Sequence, residues 1–256
     1  MIASESGMFI PEGNRISLLD KDKEPEVLVF DEGRRLMKNI CAGRLCVLTI
    51  ILFLAGGCAT SRSIVDIRVV PGPELVNGKP VKIVQVTDSR KFEVAPRTQS
   101  IPSLNEEEIR DAGIISRAIG RKRSAYGRAL GDFLLPEQRT VQDLIREAIT
   151  KALREKGYSV VEQSSVAYQS ALPVEADIIQ LWAYMPPGFW SFTLESETVV
   201  TVKGEVFPAS GEEKIRGYGR MSAQAAFESN YVEVVQAAIE DFVKNLKEKL
   251  KGSASE

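Results

Sequence analysis

The chain has 256 residues, 44% of them hydrophobic and 27% charged, enough to bury one ordinary core. With 33 Lys+Arg against 35 Asp+Glu the formal charge is -2, so no overall field recruits nucleic acid, and an anionic partner would need a local patch. Histidine is absent, which excludes His-based hydrolase triads and His-bearing zinc sites, and Cys41, Cys46 and Cys58 crowd into one apolar neighbourhood that suits neither a disulfide framework nor a metal. The expectation is therefore a protein with no catalytic residues, no metal and no cofactor.

From Met37 the chain reads MKNICAGRLCVLTIILFLAGGCATS, with a basic start at Lys38 and Arg44 and an apolar run over residues 45–54. This is the layout of a secretory signal peptide, and the charge-free stretch of about 15 residues is short of the ~20 needed to span a bilayer as a helix. The run ends Leu54-Ala55-Gly56-Gly57-Cys58, which resembles the lipobox of bacterial lipoproteins, with Ala55 where Leu is usual and Leu54 one place earlier. The resemblance implies cleavage between Gly57 and Cys58, acylation of the Cys58 thiol and a covalent lipid as the only attached group. Multiple acyl chains hold stably where one binds marginally. With Ala59 next, the resemblance implies the periplasmic face of the outer membrane. The alternative is a buried apolar helix in which Cys58 merely packs.

Residues 1–36 fit badly ahead of a leader, so Met37 is the expected start; the alternative is a cytosolic extension of a type II membrane protein. The expected division is residues 1–36 as a non-native extension, 37–57 as signal, 58–80 as lipidated tether and first strand, 81–251 as an α+β periplasmic domain and 252–256 as a disordered tail.

After the polar tether 61–63, residues 65–69 alternate like a half-buried strand and residues 81–86 form a second. The next fifty or so residues show no sustained period and read as a variable or mobile region. A helix is predicted over 141–156, capped by Thr140 with Asp143 and ended by Gly157, because Val141, Leu144, Ile145, Ala148, Ile149, Ala152 and Leu153 form one stripe. Strands follow at 158–161, 178–184, 192–202 and 214–223, with Gly217 and Gly219 leaving room for something packed closely above. A last helix starts near Asn230, with Glu233 as a capping-box partner. This order predicts an α+β fold, an antiparallel sheet of about 4–6 strands with two helices packed on one face.

Asp88-Ser89-Arg90, Ile119-Gly120, Tyr126-Gly127, Leu130-Gly131, Lys156-Gly157-Tyr158, Ala176-Asp177-Ile178 and Gly188-Phe189-Trp190 make the part after Cys58 resemble the YajG-like family of bacterial lipoproteins. That resemblance implies an envelope lipoprotein without catalysis. The architecture is more loosely similar to accessory lipoproteins of envelope transport and assembly machines, the PqiC and LptE types. Fold likeness does not transfer their function.

Two candidate contact sets stand out. Arg117, Arg121, Lys122, Arg123 and Arg128 form a basic cluster that could meet an anionic lipid, glycan or acidic protein face, or be a solvated loop. Trp182, Phe189 and Trp190 flank a Pro186-Pro187 turn and could anchor a protein partner, or cover the end of the sheet. Asp88 with Arg90 reads as a local salt bridge, Asp143 as a cap, and Glu195 with Glu197 as a wet sheet face. The expected role is a membrane-anchored binding or assembly component with an envelope protein partner; the alternative is a lipid-handling auxiliary with an acyl groove.

Overall fold

The computed structural model describes residues 62–252, apart from 76, 125–126, 187–191, 209–210 and 224–226, all belonging to the unit that runs from Gly56 to Glu256. The expectations placed on residues 1–61, including Gly57 and Cys58, on Phe189 and Trp190, and on residues 253–256 lie outside the described residues. In chain order the elements are β1 (Ser63–Ile64), β2 (Pro80–Asp88), a 3-10 turn (Glu108–Arg110), α1 (Ala112–Ile115), β3 (Ala118–Arg123), β4 (Ala129–Leu134), α2 (Val141–Glu155) and β5 (Ser159–Val160). A second 3-10 turn (Val166–Tyr168), β6 (Leu172–Tyr184), β7 (Phe192–Gly204), β8 (Glu212–Ala223) and α3 (Glu228–Lys249) complete it.

The sheet is mixed and eight-stranded, which corrects the expected antiparallel sheet of about 4–6 strands. β6, β7 and β8 do form an antiparallel meander. Along the other edge of β6, however, β2 pairs in parallel, and β5 pairs in parallel with β2. The physical reason is the length of the connection: between β2 and its partners β5 and β6 lie β3, β4 and α2, a crossover long enough to bring the chain back in the same direction, as parallel pairing requires. The region expected to be loop supplies two more strands. β3 joins β6 through Gly120 opposite Ala183, β4 pairs antiparallel with β3, and β1 runs parallel to β4. Residues 65–69 keep the predicted alternation, with Val65, Ile67 and Val69 buried, but the ladder stops at Val65.

Both long helices pack on one face of this sheet and touch each other. The predicted stripe of α2 is buried throughout. Thr140 Oγ1 accepts from the Asp143 N–H at 3.2 Å while Asp143 Oδ2 accepts from the Thr140 N–H at 2.9 Å, a reciprocal cap. At the other end Gly157 takes φ 101°, and the N–H groups of Gly157 and Tyr158 reach the carbonyls of Arg154 and Leu153. α3 starts two residues earlier than expected. Asn230 is not its cap but accepts from the Phe227 N–H at 3.0 Å from inside the first turn.

α3 lies unusually close to the meander. A Cβ at Gly217 would sit 2.1 Å from the Ala238 carbonyl oxygen, and one at Gly219 would sit 2.2 Å from that of Val234. Opposite them on β7 are Thr198 and Ser196, both buried, so four small residues make a trough for the helix backbone. The same helix closes the free edge of β8: Asp241 Oδ2 accepts from the Tyr218 N–H at 3.0 Å and Asn245 donates to the Arg216 carbonyl at 2.8 Å.

On the opposite face, the segment between β2 and β3 folds over the far end of β6. Leu104, Ala118, Leu134, Trp182 and Tyr184 form a second apolar cluster there, with Phe92, Ile109, Ile114 and Ile115 packed against it.

Candidate functional site

Two strands share one edge of β6, and polar chemistry gathers where they change over. β2 pairs with β6 as far as Asp88 opposite Ile178, and β3 takes up the edge at Ala183. The Arg90 guanidinium fills the gap. It donates to the carbonyls of Ala118 at 2.5 Å, Leu181 at 3.2 Å and Ile115 at 2.8 Å, and holds Asp88 in a two-pronged pair at 2.8 and 2.7 Å. The guanidinium also lies 5.1 Å from the Phe92 ring centre, and Phe92 meets Trp182 edge-on at 5.8 Å. The Asp88-Arg90 pair thus does the work of missing backbone donors, in keeping with its reading as a local salt bridge.

A second charged group lies beside β3 and β4 on the face away from α2 and α3. Arg121, 3% exposed, makes an ion contact from Nε to Asp132 Oδ1 at 2.9 Å, donates to Asn105 Oδ1 at 2.5 Å and approaches Glu108 Oε2 at 3.7 Å. The Asp132 contact lies off the N–H direction, so neither atom is hydrogen-bonded by a described residue. Burial pushes the Asp132 carboxyl up to about 6, with Arg121 opposing and Glu108 reinforcing the rise. Burial would also raise Glu108, but the Asn105 N–H and the Arg62 guanidinium donate to it and hold it below the ordinary carboxylate value. These residues border a cavity of about 440 Å³ that also meets Arg128.

The five basic residues expected to form one patch are placed separately. Arg117 Nε donates to the Leu135 carbonyl, Arg121 is buried as described, and Arg123 reaches Ser103 Oγ at 2.7 Å and the Gly127 carbonyl at 2.9 Å. Burial and the adjacent Arg121 pull the Arg123 guanidinium below its usual value. Lys122 points to the helix-bearing face, where its Nζ meets Ser63 Oγ at 2.5 Å and Glu228 Oε1 at 3.0 Å above the Phe133 ring. Arg128 is exposed, and no described side chain forms an ion pair with it. The expected mobile loop is thus corrected to a strand pair whose cations are largely spent inside the fold.

Trp182 is fully buried, so it is a core residue, correcting its candidacy as an exposed anchor. Glu195 accepts from Tyr184 Oη at 2.9 Å, and Gln180 approaches Glu197 at 3.5 Å; both glutamates belong to side-chain networks on the outer face. Sequence reasoning missed Arg62, Asn105, Glu108 and Asp132. A signal existed for one: Asp132 interrupts the apolar run Ala129-Leu130-Gly131-Asp132-Phe133-Leu134-Leu135, as a carboxylate paired inside a sheet would. Among the described residues no group of three His, Cys, Asp or Glu side chains is placed to hold a metal ion, and no helix is long and apolar enough to cross a membrane.

No family model matches the chain, and no curated protein matches it. Two solved structures are similar to it at low level. One, a crystal structure of an uncharacterized protein, has TM-score 0.35 and 10% identity over 71% of this chain and 98% of its own. The other, protein XCC0632 from Xanthomonas campestris, of the DUF330 family, has TM-score 0.31 and 9% identity over 73% and 90%. At these values the likeness carries no inference about fold or function.

Proposed function

We propose that the protein is a lipid-anchored lipoprotein of the bacterial envelope, of the YajG-like kind. In this reading Cys58 becomes the acylated N-terminus, and the α+β domain serves as a non-catalytic binding or assembly component at the periplasmic face of the outer membrane. One observation carries the reading: the basic start and apolar run after Met37 end in Leu54-Ala55-Gly56-Gly57-Cys58, and the first described strand, β1, begins five residues beyond that cysteine at Ser63. The buried charges support the non-catalytic part, since Arg90 and Arg121 are engaged by carbonyls and carboxylates of the fold itself.

Docking of a protein partner is favoured over lipid handling. An acyl chain needs a continuous apolar channel, whereas two cavities among the described residues, of about 250 and 440 Å³, are bordered by Gln85, Ser89, Asp177 and Lys203 in one case and by Arg62, Glu108 and Arg121 in the other, and so suit polar contacts. The test is intact-mass analysis of the N-terminal peptide of protein recovered from cell membranes. The expected result is a chain beginning at acylated Cys58, with Cys58→Ser retaining its leader. A mature chain carrying an unmodified Cys58 thiol refutes the anchor.

A further inference from the structure

We propose that Asn77-Gly78 is a site of spontaneous covalent modification, at which Asn77 loses its carboxamide nitrogen through a cyclic imide and becomes isoaspartate or aspartate, and that the isoaspartyl form loosens the clamp between the start of β2 and the exit of α2. The reaction needs neither the anchor nor a partner. The Gly78 nitrogen attacks Asn77 Cγ, the new N–C bond closes a succinimide ring, and the bond from Cγ to the side-chain nitrogen breaks. The proton of the Gly78 N–H leaves with that nitrogen as ammonia. Water then opens the ring at either carbonyl, so one water is consumed for each ammonia released, and no oxidant or reductant takes part.

Three observations single out this pair. Among the asparagines, at positions 14, 39, 77, 105, 230 and 245, Asn77 alone precedes a glycine. Without a Cβ, glycine lets its nitrogen reach the carboxamide where a larger residue hinders the approach. Asn77 is also exposed and lies in a bend, outside any helix or strand. Finally, the other described asparagines have their carboxamides held by the fold: Asn105 Oδ1 accepts from Arg121 at 2.5 Å, Asn230 Oδ1 accepts from the Phe227 N–H at 3.0 Å, and Asn245 Nδ2 donates to the Arg216 carbonyl at 2.8 Å. No described residue bonds the Asn77 carboxamide or the Gly78 N–H, so these two reacting groups can turn toward each other.

The consequence follows from how tightly Gly78 is seated. A Cβ there would lie 2.5 Å from the Gly157 carbonyl oxygen and 2.7 Å from the Ser159 nitrogen. Just beyond it the Ser159 N–H donates to the Lys79 carbonyl at 3.1 Å and the Val161 N–H to that of Val81 at 2.9 Å, fastening β5 to β2. Isoaspartate routes the main chain through the former side chain, adding one carbon beside a residue with no space to shift. The inserted carbon therefore pushes Gly78 off the Gly157–Ser159 backbone and strains the bond at Lys79. The aspartyl product, whose main chain is unaltered, leaves that bond in place. Both products add a negative charge to a chain of formal net charge -2.

The test ages the folded full chain in mildly alkaline and mildly acidic buffers and maps its peptides by mass, with electron-capture fragmentation to tell isoaspartate from aspartate. The expected result is the amide-to-acid mass gain at Asn77, several times faster than at Asn105, Asn230 or Asn245, and faster in alkali, where the attacking amide gives up its proton more readily. Asn77→Gln, whose longer side chain closes a ring poorly, should keep its mass. A folded chain that retains the Asn77 amide as long as the other three overturns the site; a urea-unfolded control that loses it then shows the fold to be the cause. Hydrogen exchange reads the second half. The isoaspartyl fraction should exchange faster than the parent at Ser159 and Val161, while Asn77→Asp, carrying the charge on an unaltered main chain, should match the parent. Equal exchange in the isoaspartyl and Asn77→Asp proteins overturns the loosening.

Discussion

Removing the Arg90 guanidinium should cost the domain a large share of its stability. Arg90 has a side chain that is 0% exposed, its partner Asp88 is 8% exposed, and the guanidinium supplies donors to three backbone carbonyls that no strand reaches. Arg90→Ala strands a nearly buried carboxylate and three carbonyls together, and breaking a buried pair in this way costs about 3–5 kcal/mol. Against a total of roughly 5–15 kcal/mol for a domain, that brings the protein close to unfolding. Arg90→Lys keeps the charge but not the planar fork, so it should recover only part of the loss. Asp88→Asn combined with Arg90→Met removes both charges and should be milder than Arg90→Ala. Urea unfolding followed by far-UV circular dichroism measures each, and hydrogen exchange should show the loss first at Ala118 and Gly120, where β3 meets β6. Arg68→Ala is the control: its pair with Asp66 is 74% and 39% exposed and should contribute less than about 1 kcal/mol. An Arg90→Ala midpoint indistinguishable from that of Arg68→Ala would refute the reasoning.

Gly219→Ala places a methyl carbon 2.2 Å from the Val234 carbonyl oxygen and should lower stability by about 1–3 kcal/mol or more through displacement of α3, read as a lower urea midpoint. Asp132, raised to about 6 in the folded state, holds a proton that the unfolded chain has already lost between about pH 4 and 6; stability therefore falls as pH rises through that window. Asp132→Asn should flatten this part of the profile of unfolding midpoint against pH, and an unchanged slope would count against the buried pair. Asp241→Ala with Asn245→Ala frees the Tyr218 N–H and the Arg216 carbonyl on the edge of β8, and light scattering should then show concentration-dependent association absent from the parent.

The parts of the fold that were legible in the sequence are those whose apolar residues repeat on one face. The stripe of α2, its Thr140 cap and Gly157 exit, and the alternation of Leu194, Val200 and Val202 in β7 all turn on local period, which survives without knowledge of the partner. Gly217 and Gly219 also signalled a close neighbour, since a strand gives up side-chain packing only where something else occupies the space. Parallel pairing was hidden because it depends on which strand lies beside β6, a matter of long-range topology. β3 was hidden for a different reason. Its Arg121 and Arg123 read as solvent-facing, yet Asp132 on β4 and Ser103 before α1 neutralise or bond them inside the fold. A buried ion pair is invisible when only one partner is in view.

The two buried arginines are committed to the fold itself. Arg90 substitutes for backbone donors where β2 and β3 meet β6, and Arg121 balances a carboxylate on β4, so each is committed to holding strands of the fold together. Freeing either to meet a ligand would leave carbonyls or a carboxylate buried and unpaired, a penalty of the order of 3–5 kcal/mol that a surface contact would have to offset. Trp182 is committed likewise, closed beneath Phe92. Under the proposed binding role, contacts would fall to side chains that can be covered without opening the core, exposed ones such as Arg128. The motif-like residues that draw the eye in the sequence, Asp88, Arg90, Arg121 and Trp182, build the scaffold.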